Sequence, residues 1–151
     1  MILTVDSKQQ KLPMQEVMVR AVYALKDRIP TPPDQTLMLM LEELQMPNSE
    51  AIQFGNTVFV THYSPESATC VMYALNVDTA ANLVKNGEMY TRHLIKKGMK
   101  GFVTSYDTKA FSIPFKQIEK NHLGTVETWE HGKKFMTAVM FNPKKQAQRN
   151  A

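Results

Sequence analysis

The sequence lacks the features that mark several large classes of protein. Its 151 residues include a single cysteine, Cys70, which excludes an internal disulfide and favours a reducing, cytoplasmic location. No apolar run approaches the roughly 20 residues that cross a bilayer, and charged residues follow the short apolar start, so we expect neither a membrane span nor a signal peptide. The four histidines show no paired spacing, so we expect no metal site.

A dense basic stripe is also missing. The formal net charge is +4, and the lysines occur in short groups such as Lys96, Lys97 and Lys100. Proteins that bind nucleic acid usually carry a basic stripe with reading or stacking groups beside it. We therefore interpret these lysines as solvated surface and do not expect a nucleic-acid partner.

What the sequence does contain is a strong central unit. The segments 69–77 and 100–106 are rich in Val, Phe, Tyr and Thr, which predicts two strands. Between them, the spacing of apolar residues in the segment 79–97 predicts a helix. A strand, crossover helix and strand of this size normally form a right-handed parallel unit. One face of the sheet should then be covered by this helix.

The central helix has clear start and stop signals. Asp78 or Thr79 can cap its first N–H groups, and Gly98 suits a left-handed C-terminal stop. Apolar residues recur every three or four positions, which places them on one side. This predicted inward face consists of Ala80, Leu83, Val84, Gly87, Tyr90, Thr91, Leu94 and Ile95.

A length of 151 residues suffices for one domain, which we place at residues 1–141, followed by a polar tail at 142–151. Shorter elements are predicted before and after the central unit. The first helix has an apolar face of Met14, Val17, Met18, Ala21, Leu25 and Ile29, and the second has Leu37, Met38, Leu41 and Leu44. The elements are a strand at residues 2–5, a helix at 13–30, a helix opening at Thr31-Pro32 and stopped by Pro47, a hairpin of 51–54 and 57–63 around Gly55-Asn56, a helix at 112–122, and a hairpin of 125–130 and 133–141 around His131-Gly132.

The resulting order is β-α-α-β-β-β-α-β-α-β-β, which predicts an α/β (α+β) fold with a mixed central sheet flanked by about four helices. Over residues 1–141 this order resembles the GNAT fold of the GCN5-related N-acetyltransferases. The strand leading directly into the long helix supports the resemblance. So does Leu123-Gly124 after the last helix, which is similar to the family's Leu-Gly-Phe ending with Thr125 in place of the aromatic residue.

The resemblance implies acetyl-CoA as cofactor, held by a loop of the form Gln/Arg-x-x-Gly-x-Gly/Ala between strand and helix. The nearest match here follows Val77 and runs from Asn82 to Gly87. Asn82 stands for Gln or Arg, Lys85 replaces the first glycine, and Gly87 fits. Against this reading, the helical spacing begins before Asn82, which predicts continuous helix through the segment and no phosphate loop.

Catalytic residues implied by the resemblance match only in part. The family's general acid, a tyrosine four residues before the glycine of its ending, falls on Lys120. An ordinary lysine is a poor proton donor, since its unperturbed pKa is about 10.4. Tyr106, at the end of the preceding strand, is the nearby phenol and the other candidate acid.

Two hypotheses follow. The chain is similar to small bacteriophage proteins of GNAT type, some of them internal virion or assembly proteins, in its length and in its missing Arg-x-x-Gly-x-Gly signature. This favours a GNAT-fold protein that binds a protein partner, for example in virion assembly or takeover of a host factor. The alternative is an acetyl-CoA-dependent N-acetyltransferase with an atypical pyrophosphate loop. Self-association stays open.

Overall fold

The computed structural model describes residues 11–106 and 113–141. The predicted first strand at residues 2–5 and the predicted tail at 142–151 lie outside this range. The described helices are α1 (Met14–Ala24), α2 (Pro33–Leu44), α3 (Ala80–Lys97) and α4 (Ile113–Lys120). The described strands are β1 (Ser49–Phe54), β2 (Thr57–Ser64), β3 (Thr69–Asn76), β4 (Gly101–Tyr106), β5 (Gly124–His131) and β6 (Lys134–Phe141).

The strands form one mixed sheet in the order β1-β2-β3-β4-β6-β5. Strands β3 and β4 are parallel and joined by α3, while the other neighbouring pairs are antiparallel. The predicted strand-helix-strand unit and the predicted mixed α/β fold are therefore confirmed. From α1 onwards, the element order agrees with that of the GNAT fold.

The sheet carries a core on each face because its central strands alternate their side chains. In β2, Val58 and Val60 pack with α1, while Phe59 belongs to the core beneath α3 and α4. The α1 core contains Val17, Met18, Ala21, Val22, Val58, Val60 and Leu75. The other core contains Phe59, Cys70, Met72, Tyr90, Leu94, Phe102, Ile118, Leu123 and Val139.

Helix α3 has the predicted ends. The Thr79 side chain accepts a hydrogen bond from the backbone N–H of Asn82, and Gly98 ends the helix with a left-handed φ of 94°. Lys96 and Lys97 in the last turn complement the negative end of the helix dipole. The helix therefore runs unbroken through residues 82–87, as the spacing predicted.

Two predictions about α1 and α2 were wrong in detail. Helix α1 ends at Ala24, not near Pro30, because the N–H groups of Leu25 and Lys26 bond three residues back, which turns the chain. Ile29 still packs against the α1 core from this turn.

Helix α2 begins at Pro33, one residue later than predicted, and Thr31 does not cap it. Instead, the hydroxyl of Thr31, which precedes the helix, shares a hydrogen bond of 2.5 Å with the Thr36 hydroxyl. Of its predicted inward residues, Leu37 and Leu44 are half-buried, but Met38 and Leu41 are exposed. The helix lies on the margin of the α1 core, so only a narrow stripe of it is covered.

Gly101 marks a close approach between β4 and β6. A Cβ atom placed there would lie 2.1 Å from the backbone oxygen of Val139, well inside van der Waals contact. Gly124 is similar, with a Cβ position 2.4 Å from the Met140 oxygen. Both glycines therefore fix how tightly β6 packs between its neighbours.

We expect Gly101→Ala to destabilise the protein by about 3 kcal/mol, because either β4 or β6 must move to admit the methyl group. Gly87→Ala is the matched control, since a Cβ there meets nothing within 4 Å and alanine favours helix by about 1 kcal/mol. Urea unfolding measures both. Equal stabilities for the two variants would contradict the close packing of β4 on β6.

Candidate functional site

The sheet opens between β3 and β4. These strands pair through only three residues each, Thr69 to Val71 with Gly101 to Val103. Beyond them the strands diverge, and residues 72–76 and 104–106 no longer share a ladder. A cavity of about 580 Å³ lies at this opening. The gap follows from the short pairing, because two parallel strands that lose their ladder leave space for side chains or for a ligand.

Elements from both sides of the sheet wall the cavity. Its apolar wall is largely aromatic, and hydroxyl and amide groups reach it from the ends of β3 and β4. The cations Arg28 and Lys134 also line it, whereas the described lining residues include no Asp or Glu. The principal lining residues are Phe59, Met72, Tyr90, Phe102, Phe115 and Tyr106, with the polar Asn76, Thr91, Thr104 and Ser105.

The predicted cofactor residues separate in the structure. Gly87 lines the cavity, with open space where a side chain would stand. Val77 instead packs against the α1 core. The side chains of Asn82 and Lys85 are exposed on α3, and neither residue is among the described residues that line the cavity.

The two candidate acids also lie apart. Tyr106 lines the cavity, stacks between Phe115 and Phe135, and shares a hydrogen bond of 2.6 Å with the Thr137 hydroxyl. Lys120 is exposed in the last turn of α4 and is not among the described lining residues. Tyr106 is thus the candidate acid that reaches the cavity.

Asn86, within the supposed phosphate segment, is buried and structural. Its Nδ2 atom donates to Thr57 Oγ1 at 2.9 Å and to Asp78 Oδ2 at 2.8 Å. The same Asp78 oxygen accepts the backbone N–H of Asn56 at 2.8 Å. Asn86 stands four residues before Tyr90, so its place on the buried side of α3 was legible from helical spacing, although its partners were not.

The start of α3 is already occupied by negative charge. Asp78 stands two residues before the first helical residue, Ala80, where a carboxylate interacts favourably with the helix dipole. A second anion at the same helix end, such as a pyrophosphate, would be repelled by that carboxylate. The local electrostatics therefore differ from those of an open phosphate site.

Burial keeps two reactive-looking groups near the cavity neutral. It raises the pKa of Tyr90, whose hydroxyl shares a hydrogen bond of 2.7 Å with the Thr61 hydroxyl. Burial also raises the pKa of the Cys70 thiol to about 11. A thiol of this kind is a packing group and not a nucleophile at neutral pH.

No family model matches the chain, and no curated protein matches it. Among solved structures, it is similar to a Desulfovibrio desulfuricans protein assigned to the GNAT family of acetyltransferases. The TM-score is 0.48 and the identity 14%, over 86% of this chain and 93% of that one. An identity this low carries no information about substrate. None of the described helices is long and apolar enough to cross a membrane.

We expect Asn86→Ala to lower the free energy of unfolding by about 2 kcal/mol, because it strips a half-buried carboxylate and a buried hydroxyl of their shared donor. Asn82→Ala, in the same segment but exposed, should change it by less than about 0.5 kcal/mol. Thermal and urea unfolding measure both. Similar small effects would indicate that residues 82–87 are not anchored as described.

Proposed function

We propose that the chain is a ligand-binding protein of GNAT-like architecture, which holds an elongated apolar ligand with an anionic head between β3 and β4. The observation that supports this most is the combination of a large open cavity with an α3 that is helical through residues 82–87. The cavity offers space for a ligand. The helix leaves no loop there that could wrap a pyrophosphate.

The apolar body of the ligand is argued from the cavity wall. A volume of about 580 Å³ falls within the range of small-molecule sites, which are typically lined by apolar and aromatic groups with a few polar ones. Leu83, Tyr106 and Phe115, which line the cavity and are only partly buried, provide such a surface. An acyl chain or aromatic ring would be removed from water along most of its length, with a gain proportional to the area buried.

The anionic head is argued from charge. Lys134, at the start of β6, lines the cavity, and the described lining residues include no Asp or Glu. A carboxylate or sulfonate near this cation gains Coulomb energy that a neutral head does not. This predicts a preference for anions among ligands of equal apolar size.

Acetyl transfer from acetyl-CoA is a second candidate, favoured by Tyr106, whose ring lines the opening between the strands. In that reading Tyr106 protonates the departing thiolate, and Gly87 admits the cofactor beside α3. Lys120, Asn82, Lys85 and Val77 would contribute only if the chain rearranged, since their side chains lie elsewhere.

The proposal is tested with the fluorescent probe anilinonaphthalene sulfonate, which is apolar and anionic. We expect the probe to bind, decanoate to displace it, and decanol to displace it less well. Gly87→Trp should abolish binding because the indole fills the cavity. Lys134→Gln should weaken the binding of decanoate about fivefold, as expected of the loss of one charge contact. Lys133→Gln, one residue away in the turn, should leave the affinity unchanged.

Calorimetry with acetyl-CoA separates the two candidates. A flat trace alongside decanoate binding supports the proposal. Micromolar acetyl-CoA binding that Gly87→Trp removes would favour the acetyltransferase. Absence of binding by the probe, decanoate and acetyl-CoA alike would contradict any ligand role for the cavity.

A protein-binding role, including assembly of a virion, is a further candidate that the surface of α2 favours. Met38 is 63% and Leu41 51% exposed, and Leu39 beside them is also exposed. Adjacent exposed apolar residues on one helix are typical of contact surfaces. We propose a second copy of the chain as the occupant.

Sedimentation at increasing concentration tests this surface. We expect concentration-dependent dimers that the pair Met38→Glu and Leu41→Glu removes, because two charges would be buried unpaired. Met89→Glu, an exposed methionine on α3, is the control and should leave dimers intact. A wild-type monomer at every concentration would contradict self-association through α2.

A further inference from the structure

We propose that Ser49, His62 and Glu43 form a separate catalytic site that takes the acyl group from an activated ester or thioester and passes it to water. This inference goes beyond the binding function proposed above and does not depend on it. The three residues come from β1, β2 and the end of α2. Their juxtaposition provides a nucleophile hydrogen-bonded to a base, and a carboxylate within ion-pair distance of that base.

The first contact joins nucleophile and base. Ser49 Oγ lies 2.8 Å from His62 Nδ1. The two residues face each other across the β1–β2 hairpin, and the Tyr63 N–H donates to the Asn48 carbonyl at 2.7 Å. Ser49 and His62 are therefore a non-hydrogen-bonded pair, the kind in which opposed side chains come closest.

The second contact orients the base. His62 Nε2 lies 3.5 Å from Glu43 Oε2. A carboxylate at this nitrogen favours the tautomer with its proton on Nε2, which leaves the Nδ1 lone pair facing the Ser49 hydroxyl. It also stabilises the imidazolium that forms when His62 takes a proton. The nitrogens are used in the reverse order from the chymotrypsin-type triad, but the roles are the same.

Tyr73 supports the carboxylate. Its hydroxyl donates to Glu43 Oε2 at 3.3 Å. Burial raises the pKa of Tyr73, and the Glu43 charge adds to this, so the phenol stays protonated and remains a donor. Tyr73 also lines the cavity between β3 and β4, which places the proposed catalytic site beside the cavity on the α1 face of the sheet.

The site is open to water. The side chains of His62 and Glu43 are 33% and 50% exposed, and Ser49 is half-buried. Because Ser49 stands in a non-hydrogen-bonded pair with His62, its N–H is directed away from β2. That N–H is the backbone donor we assign to the oxyanion, as a nucleophile's own amide can serve in this way.

The reaction balances without a cofactor. As Ser49 Oγ bonds to the carbonyl carbon, its proton moves to His62 Nδ1. The bond to the leaving oxygen or sulfur then breaks, and that group takes the proton from His62. In the second half, His62 takes a proton from water, the hydroxide oxygen bonds to the acyl carbon, and the bond to Ser49 Oγ breaks as Oγ regains its proton.

The test uses p-nitrophenyl acetate with the full chain. We expect a burst of nitrophenolate, an acetyl adduct on the peptide that contains Ser49, and slow turnover. Ser49→Ala should abolish burst and adduct, His62→Gln should slow acylation about 100-fold, and Glu43→Gln about tenfold. Ser67→Ala, an exposed serine in the β2–β3 turn, should behave as wild type.

A merely structural pair predicts a different result. Ser49→Ala would then alter stability but leave the rate of ester cleavage and the sites of acetylation unchanged, which would overturn the proposal. Circular dichroism and urea unfolding show whether each variant is folded. The pH dependence gives a further readout, because the rise of the wild-type rate as an imidazole loses its proton should be absent from His62→Gln.

Discussion

The short pairing of β3 with β4 is the constraint on which the rest of the structure depends. Three paired residues on each strand hold the two halves of the sheet together near Cys70 and Phe102. Past that point each strand stays with its antiparallel neighbour, β3 with β2 and β4 with β6. The cavity is the space left by this divergence. It exists because β3 and β4 follow different neighbouring strands, and no particular side chain creates it.

Helix α3 turns this gap into a site with one rigid wall, because it is tied down at both ends. Near its start, Asn86 bonds to Thr57 and Asp78. Near its end, Lys97 lies 3.4 Å from Glu50 and above the Tyr63 ring. Helix α3 is thus attached to β1 and β2 at two places along its length.

The same anchors determine the electrostatics at the start of α3. A phosphate site at a helix start needs free N–H groups and no competing anion. Here the Thr79 hydroxyl takes the Asn82 N–H, and Asp78 brings a carboxylate to that end. The cavity differs from the helix start in charge, because Lys134 lines it and its described lining includes no Asp or Glu.

Much of the fold could be predicted from sequence because its elements are locally encoded. The spacing of Leu83, Tyr90 and Leu94 fixes α3, and the Gly55-Asn56 turn fixes the β1–β2 hairpin. What could not be predicted depends on contacts between distant elements. The exposure of Met38 depends on where α2 lies, and the cavity depends on how far β3 and β4 pair.

The candidate site residues also differ in whether local sequence or contacts between distant elements place them. Gly87, which fits the family's loop, and Tyr106, named as the nearby phenol, both line the cavity, whereas Lys120, the position that matches the family's general acid, is not among the described lining residues. The pairing of Ser49 with His62 was legible in principle, because a two-residue turn sets the register of the whole hairpin. Glu43 was not, since its approach to His62 depends on the packing of α2.

The interaction of Glu50 with Tyr63 shows how charge also fixes the end of α3. The Tyr63 hydroxyl donates to Glu50 at 2.6 Å, and this bond, followed by the charge of Lys97, lowers the pKa of the Glu50 carboxyl. A carboxyl whose pKa is lower in the folded than in the unfolded state stabilises the fold above its unfolded value, and the contribution is lost as pH falls through the folded one. The C-terminal anchor of α3 therefore weakens in acid, because protonation of Glu50 removes the negative charge that faces Lys97 and weakens the acceptor of the Tyr63 hydroxyl.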